Sequence, residues 1–216
     1  MARLNSSSMP TASQYLAETE SAVLHLFRGI DSYLKVLQAE IPTFVSDHPF
    51  GPAQEAEYRV WESENKGGLD ARRQAEQRFV AESFALDILC GSVLQVAEKA
   101  LDLYCEAVPI PIEWSSTVNS SKAKYCRGRL IRTVPLGLII YAGRNQHMHF
   151  GEKLHELNVT VFERLATAHG YPTSARDPAV DLSNPSVFSF ARNITYLLGW
   201  NTYDQYVQDM RALLEI

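Results

Sequence analysis

Apolar residues recur along this chain at steps of three, four and seven, the spacing that places them on one face of an α-helix. The first such segment is residues 10–41, and the pattern returns over residues 70–107. Shorter segments with the same periodicity follow, at residues 122–131, 135–150, 152–169, 186–198 and 202–215. Strand signals are scarce. The pattern therefore predicts an all-α bundle of about five to six helices.

Proline and glycine indicate where these segments are interrupted. Residues 42–69 contain three prolines and three glycines, which predicts a long, mostly irregular loop after the first helix. We expect a kink near Gly91, because an unbroken helix of 38 residues would be about 57 Å long. Thr133 and Pro135 are typical of a helix start. We expect one helical domain over residues 1–216, with residues 1–9 as a flexible N-terminal segment.

Composition narrows the class of protein. The chain has 216 residues, of which 46% are apolar and 21% charged, as in a globular protein. Its longest apolar stretch, residues 134–142, is too short to span a bilayer, and the polar N-terminal residues lack the apolar middle of a signal peptide. Three cysteines without metal-type spacing argue against a disulfide framework and a metal site. We therefore expect a cytoplasmic protein that binds no membrane, metal or cofactor.

Charge is distributed unevenly along the chain. The net charge of −5 alone argues against a nucleic-acid partner. However, residues 114–151 hold six basic and no acidic residues, whereas the rest of the chain holds 14 basic and 25 acidic ones. We refer to five of these six as the basic run: Lys122, Lys124, Arg127, Arg129 and Arg132. The pattern predicts an acidic protein that admits RNA along one basic stripe.

The basic run leads into the segment with the most informative chemistry. An otherwise apolar helix over residues 135–150 ends in Arg144, Asn145, His147 and His149. A guanidinium can hold a phosphate and stabilise the charge that develops in the transition state. Histidine can take a proton from a ribose hydroxyl or give one to a leaving oxygen. These residue types therefore suit phosphodiester cleavage without a metal.

The sequence Arg144-Asn145-Gln146-His147-Met148-His149 resembles the signature of the HEPN superfamily of helical ribonucleases and nucleotide-binding proteins. That signature is an arginine followed, four to six residues later, by a histidine, often with a polar residue directly after the arginine. The resemblance implies a metal-independent endoribonuclease that leaves a 2′,3′-cyclic phosphate. It assigns acid/base catalysis to His149, the phosphate contact to Arg144 and a supporting polar role to Asn145.

The resemblance also implies partners and a biological role. In the HEPN superfamily two helical protomers pair so that two copies of the motif meet, and the resemblance therefore makes a homodimer the expected assembly. Such proteins act as toxins or as antiviral defence effectors, so an antitoxin or another defence-system protein is an expected partner. Two alternatives remain open, namely a non-catalytic module that binds a nucleotide, RNA or a partner protein, and a structural helical adaptor or antitoxin.

Helical geometry constrains how the motif can work. At about 100° per residue, Asn145 and His149 lie about 40° apart around the helix, whereas Arg144 and His149 lie about 140° apart. One straight helix does not place Arg144 beside His149. Either the helix distorts near Gly151, or the site combines residues from two protomers.

Other residues fit the chemistry less well. A second match, Arg164 with His169 and Tyr171, has the form found in HEPN toxins in which that tyrosine is adenylylated. We favour a structural role there, because Leu165, next to Arg164, belongs to the apolar face of its helix. His147 shares a helix stripe with apolar residues, so we favour a packed histidine, with an accessory catalytic role as the alternative.

Overall fold

The computed structural model describes residues 10–37, 44–46, 48, 50–168 and 175–216. The α-helices are α1 (Ala12–Leu37), α2 (Pro52–Glu64), α3 (Lys66–Tyr104), α4 (Leu136–Met148), α5 (Glu156–Thr167), α6 (Ala191–Leu197) and α7 (Tyr203–Leu214). Two 3₁₀ helices, Ile112–Trp114 and Ser120–Tyr125, and a two-stranded antiparallel ribbon, β1 (Leu130–Ile131) with β2 (Val134–Pro135), precede α4. The prediction of an all-α protein is confirmed. Within the described ranges, no helix combines the length and apolar character needed to cross a bilayer.

The prediction of a mostly irregular segment over residues 42–69 is wrong where the structure describes it as helix. Helix α2 occupies Pro52–Glu64, and α3 begins at Lys66, before the predicted start at residue 70. Pro52 stands in the first turn of α2, where its missing N–H breaks no helical hydrogen bond. Helix α3 stays helical through Gly91, where we expected a kink.

The contacts divide the chain into two compact units, residues 31–86 and residues 1–30 with 87–216. In the unit of residues 31–86, helix α2 has no fully buried residue. Its aromatic side chains, Tyr58 and Trp61, instead pack with Phe44, with ring centroids 5.2 to 5.7 Å apart. The Glu57 carboxylate accepts a hydrogen bond from Ser46 Oγ at 2.6 Å. Aromatic contacts and one acidic side chain thus hold the described part of the preceding loop to α2.

In the other unit, α4 lies at the centre of the core. Leu138, Ile139 and Ile140 are fully buried, and α4 packs mainly against α5 and α6. A side chain at Gly143 would meet Leu94 of α3 and Ile194 of α6 within 3.3 Å, so these helices approach α4 closely. The apolar first half of α4 is therefore fixed on several sides, which gives its C-terminal turn a defined position.

The ribbon that leads into α4 is closed by two residues with left-handed backbone angles. Arg132 has φ 47° and Thr133 has φ 71°, as a two-residue hairpin turn requires. The predicted N-cap role of Thr133 is therefore wrong, and Pro135 occupies the N-cap position of α4 without a side-chain hydrogen bond. The helix predicted over residues 122–131 is also wrong, since a 3₁₀ helix ends at Tyr125 and Gly128 turns the chain with φ +85° before β1.

Candidate active site

The motif occupies the last turn of α4 and the residue that follows it. Helix α4 ends at Met148, and the backbone N–H of His149 still donates to the carbonyl of Asn145 at 3.0 Å. The left-handed turn at Gly151, with φ +85°, comes after the motif. The helix is thus regular from Arg144 to Met148, and His149 stands at its C-cap with φ −125°, so the turn at Gly151 comes too late to bring the Arg144 side chain towards His149 within one chain.

Arg144 faces α3. Its Nη1 donates to Asn145 Oδ1 at 3.0 Å, and its Nε lies 4.0 Å from Glu98 Oε2. Nε is buried without a hydrogen-bond partner in the described part of the chain. The other oxygen of Glu98 accepts from the Tyr125 hydroxyl at 2.6 Å, and burial together with this carboxylate raises the pKa of Tyr125. Arg144 is thus held beside a carboxylate, and 27% of its side chain remains exposed.

His149 lies at the surface with one ring nitrogen occupied. Nδ1 is 3.1 Å from Glu152 Oε2, and the side chain is 51% exposed. When Nδ1 donates to the carboxylate, Nε2 carries the lone pair that a general base needs. Glu152 was missed by the sequence analysis, although it stands only three residues after His149.

Gln146 and His147, in the middle of the motif, anchor α4 to the segment that leads into α6. The buried Gln146 carboxamide donates to the Phe188 carbonyl at 2.9 Å and accepts from the Phe190 N–H at 2.8 Å. His147 Nδ1 lies 2.9 Å from Ser189 Oγ, and burial lowers the pKa of His147. These contacts support the packed role that we favoured for His147.

Gly91 of α3 makes room for the His147 ring. A Cβ atom built at Gly91 would lie 2.1 Å from His147 Nε2, far inside van der Waals contact. Because Gly91 is glycine, α3 and the imidazole of α4 can touch directly. The glycine that we expected to kink α3 therefore serves the packing of the motif helix.

The basic run does not form one open stripe. Lys124 binds Asp102 at 2.8 Å, and Arg129 binds Asp209 through two hydrogen bonds. Arg127 donates to the carbonyls of Leu213 and Glu106 and to the Glu215 carboxylate. Arg132 donates to the Leu165 carbonyl and forms an ion pair with Asp177. Most of these cations are thus paired within the protein, where they join the residues before α4 to α3, α5 and α7.

Lys122 is the member of the basic run that adjoins the motif helix. Its Nζ lies 4.6 Å from the ring centroid of Tyr141, and the Tyr141 and Tyr125 rings pack at a tilt of 34° with centroids 4.6 Å apart. Tyr141 and Asn145 are one helical turn apart, as are Asn145 and His149. Lys122, Tyr141, Asn145 and His149 therefore follow one another along a single face, which we call the α4 track.

Three carboxylates along α3 each meet a cation from later in the chain. Glu98 adjoins Arg144, Asp102 binds Lys124, and Asp87 lies 3.9 Å from Arg192 Nε. The hydrogen bond from Lys124 lowers the pKa of Asp102, whereas burial raises the pKa of Asp87 to about 6. The carboxylates of α3 thus hold the motif helix and its neighbours by charge as well as by packing.

The second match has only one described member. The Arg164 guanidinium lies over the Trp114 ring, 4.1 Å from its centroid, and donates to the carbonyl of Glu113. His169 and Tyr171 lie outside the described residues. The position of Arg164 agrees with the structural role that we favoured for it.

Among the described residues, no three His, Cys, Asp or Glu side chains are grouped so that they could hold a metal ion. No protein-family profile, curated protein or solved structure matches the chain.

Proposed function

We propose that this protein is a metal-independent endoribonuclease of the HEPN type that acts as a toxin or antiviral effector. The observation that carries the proposal is the placement of His149, which is half exposed at the end of a rigid helix with Nδ1 held by Glu152. Arg144 supports it, because its side chain is 27% exposed and its guanidinium makes a single hydrogen bond to the described residues, from Nη1 to Asn145 Oδ1.

The chemistry follows from these two side chains. Nε2 of a neutral His149 removes the proton of a ribose 2′-hydroxyl, and the oxygen attacks the neighbouring phosphorus. Arg144 stabilises the negative charge on the phosphoryl oxygens as the bond to the 5′-oxygen breaks. The leaving oxygen takes a proton from an imidazolium, so the products are a 2′,3′-cyclic phosphate and a 5′-hydroxyl. No step requires a metal ion.

The site is completed by a second copy of the chain. Within one protomer Arg144 faces Glu98 of α3, whereas His149 faces the loop that follows α4. A homodimer that joins the ends of two α4 helices brings Arg144 of one protomer to His149 of its partner. This assembly uses the two side chains in the orientations that the fold gives them.

RNA follows the α4 track in this proposal. Lys122 supplies a positive charge next to an aromatic ring, the combination with which proteins hold single-stranded nucleic acid. The acidic remainder of the chain repels RNA elsewhere. The paired members of the basic run then contribute to the folded structure of this surface rather than to separate phosphate contacts.

Replacing His149 by alanine tests the proposal. We expect wild-type protein to cleave single-stranded RNA in the presence of a chelator, and His149→Ala to do so about 10² to 10⁴ times more slowly. The measurement is the initial rate on end-labelled RNA, with analysis for a 2′,3′-cyclic phosphate. His155→Ala, another exposed histidine in the same region, serves as the matched control.

The outcomes separate this proposal from its alternatives. Equal cleavage by wild type and His149→Ala would assign the activity to another group or to a contaminant. RNA that is bound but remains intact would favour the non-catalytic module instead.

Glu152 is expected to act by positioning His149. Glu152→Gln should lower kcat by at most about tenfold, because the hydrogen bond is exposed to solvent, and should leave KM unchanged. Glu156→Gln makes the same change of charge in the neighbouring turn and controls for a general effect on RNA attraction. If both variants alter kcat and KM alike, Glu152 acts through charge alone and has no positioning role.

A further inference from the structure

A cavity opens beside Arg144 between α1, α3 and α4. Its volume is about 330 Å³, within the lower range of small-ligand sites. The polar groups that line it come from Tyr15, Ser92, Gln95, Glu98, Lys99 and Arg144. All of these residues belong to the same compact unit. The cavity therefore places further polar groups next to the guanidinium that the proposed function assigns to phosphate.

The wall of the cavity is rich in hydrogen-bond acceptors. The Tyr15 hydroxyl donates to the Val96 carbonyl at 3.1 Å and the Ser92 hydroxyl to the Ile88 carbonyl at 2.9 Å, so each oxygen keeps lone pairs for a ligand. Glu98 Oε2 accepts no hydrogen bond from the described residues, its nearest cation being Arg144 Nε at 4.0 Å. A ligand that fits this wall presents N–H donors.

Donors lie at the edges of the same cavity. Gln95 is exposed on α3 and offers an amide NH₂, and Arg144 lines the cavity with a side chain that is 27% exposed and makes a single hydrogen bond to the described residues, from Nη1. Lys99 adds an ammonium group that is shared with Asp102 at 3.3 Å. The cavity thus combines an acceptor wall with a cationic edge, which suits an uncharged base that carries a phosphate.

We propose that this cavity is a subsite for a guanine nucleotide of the RNA substrate. The N1–H and N2–H₂ groups of guanine are adjacent donors that face the Glu98 carboxylate, and its O6 accepts from Gln95. Adenine and cytosine each offer an exocyclic amine beside an acceptor, which the carboxylate opposes, and uracil offers a single N–H between two carbonyls. The phosphate of the same nucleotide meets Arg144. The identification of the ligand as RNA and the phosphate contact of Arg144 rest on the proposed function, whereas the recognition of the base does not.

The subsite is tested by binding rather than by cleavage. Full-length wild-type protein is titrated by calorimetry with the 5′-monophosphates of guanosine, adenosine, cytidine and uridine. We expect guanosine monophosphate to bind at least about fivefold more tightly than the other three, as expected for loss of one good base contact. Gln95→Ala should reduce this preference, whereas Gln208→Ala, an exposed helical glutamine on α7, should leave it unchanged.

A second variant fills the cavity without removing any proposed base contact from Glu98 or Gln95. Ser92→Phe should abolish binding of the nucleotide while circular dichroism confirms that the helices remain. The proposal is overturned if the four nucleotides bind equally, if none binds, or if neither Gln95→Ala nor Ser92→Phe changes binding. The titration needs no catalysis, so the two proposals can fail separately. Binding of guanosine monophosphate without RNA cleavage would support the subsite and contradict the ribonuclease. RNA cleavage without preferential binding of guanosine monophosphate would support the ribonuclease and contradict the subsite.

Discussion

A mixture of Arg144→Ala and His149→Ala protein is expected to cleave RNA, although each variant alone is inactive. If the site combines Arg144 of one protomer with His149 of its partner, a mixed dimer keeps one intact site. Random assembly makes half of the dimers mixed, so the expected rate is about a quarter of that of wild type. The measurement is the cleavage rate after the two variants are unfolded and refolded together, so that the protomers exchange.

The control for this experiment leaves no intact pair in any arrangement. Arg144→Ala refolded with the double variant Arg144→Ala/His149→Ala should remain inactive, whether the two residues act across protomers or within one. If the first mixture also stays inactive while refolded wild type recovers its rate, the site does not combine two protomers. The divergent orientations of Arg144 and His149 would then have to be reconciled by a rearrangement within one chain.

Replacing Gly91 by alanine is expected to destabilise the protein by about 2 kcal/mol or more. Alanine normally stabilises a helix by about 1 kcal/mol relative to glycine, so helix propensity alone would predict that this substitution stabilises the protein. The reason for the destabilisation is the distance of 2.1 Å between the new Cβ atom and His147 Nε2, which forces the ring out of its place beside Ser189. The measurement is the free energy of unfolding in urea.

Two further variants make this prediction specific. Gly67→Ala lies on the same helix with nothing within 4 Å of the new Cβ atom, so it should stabilise the protein slightly. In Gly91→Ala/His147→Ala the clash disappears, and the double variant should be more stable than the sum of the single effects predicts. Additive effects would show that α3 and His147 do not touch in solution.

The periodicity of apolar residues was enough to predict the helical class because most helices bury one continuous stripe. Helices α1, α4, α5 and α7 all fall within the predicted segments. Helix α2 was missed because it buries no residue fully and begins at Pro52, directly after Gly51. Its aromatic contacts depend on Phe44, which precedes it in an irregular segment. Periodicity cannot detect a helix whose stabilising contacts lie outside its own pattern.

The candidate site was predictable only in part, for a similar reason. Arg144, Asn145 and His149 are adjacent in sequence, so their chemistry could be identified directly. Glu98 reaches the site from α3, and its stripe with Asp87 and Asp102 becomes visible only when the helices are packed. The basic run misled in the opposite way, because its members are close in sequence but the sequence does not reveal which carboxylates will neutralise them.

The contacts of Gln146 restrict the length of the motif itself. Its carboxamide is bound at both ends to the backbone of residues 188 and 190, so the rotation of α4 about its axis is fixed inside the motif. Inserting or deleting one residue between Arg144 and Gln146 would turn the rest of the helix by about 100° relative to Arg144. In this protein the interval from Arg144 to Gln146 is therefore constrained by the loop that Gln146 contacts, and a change in that interval requires a matching change in a segment more than 40 residues away.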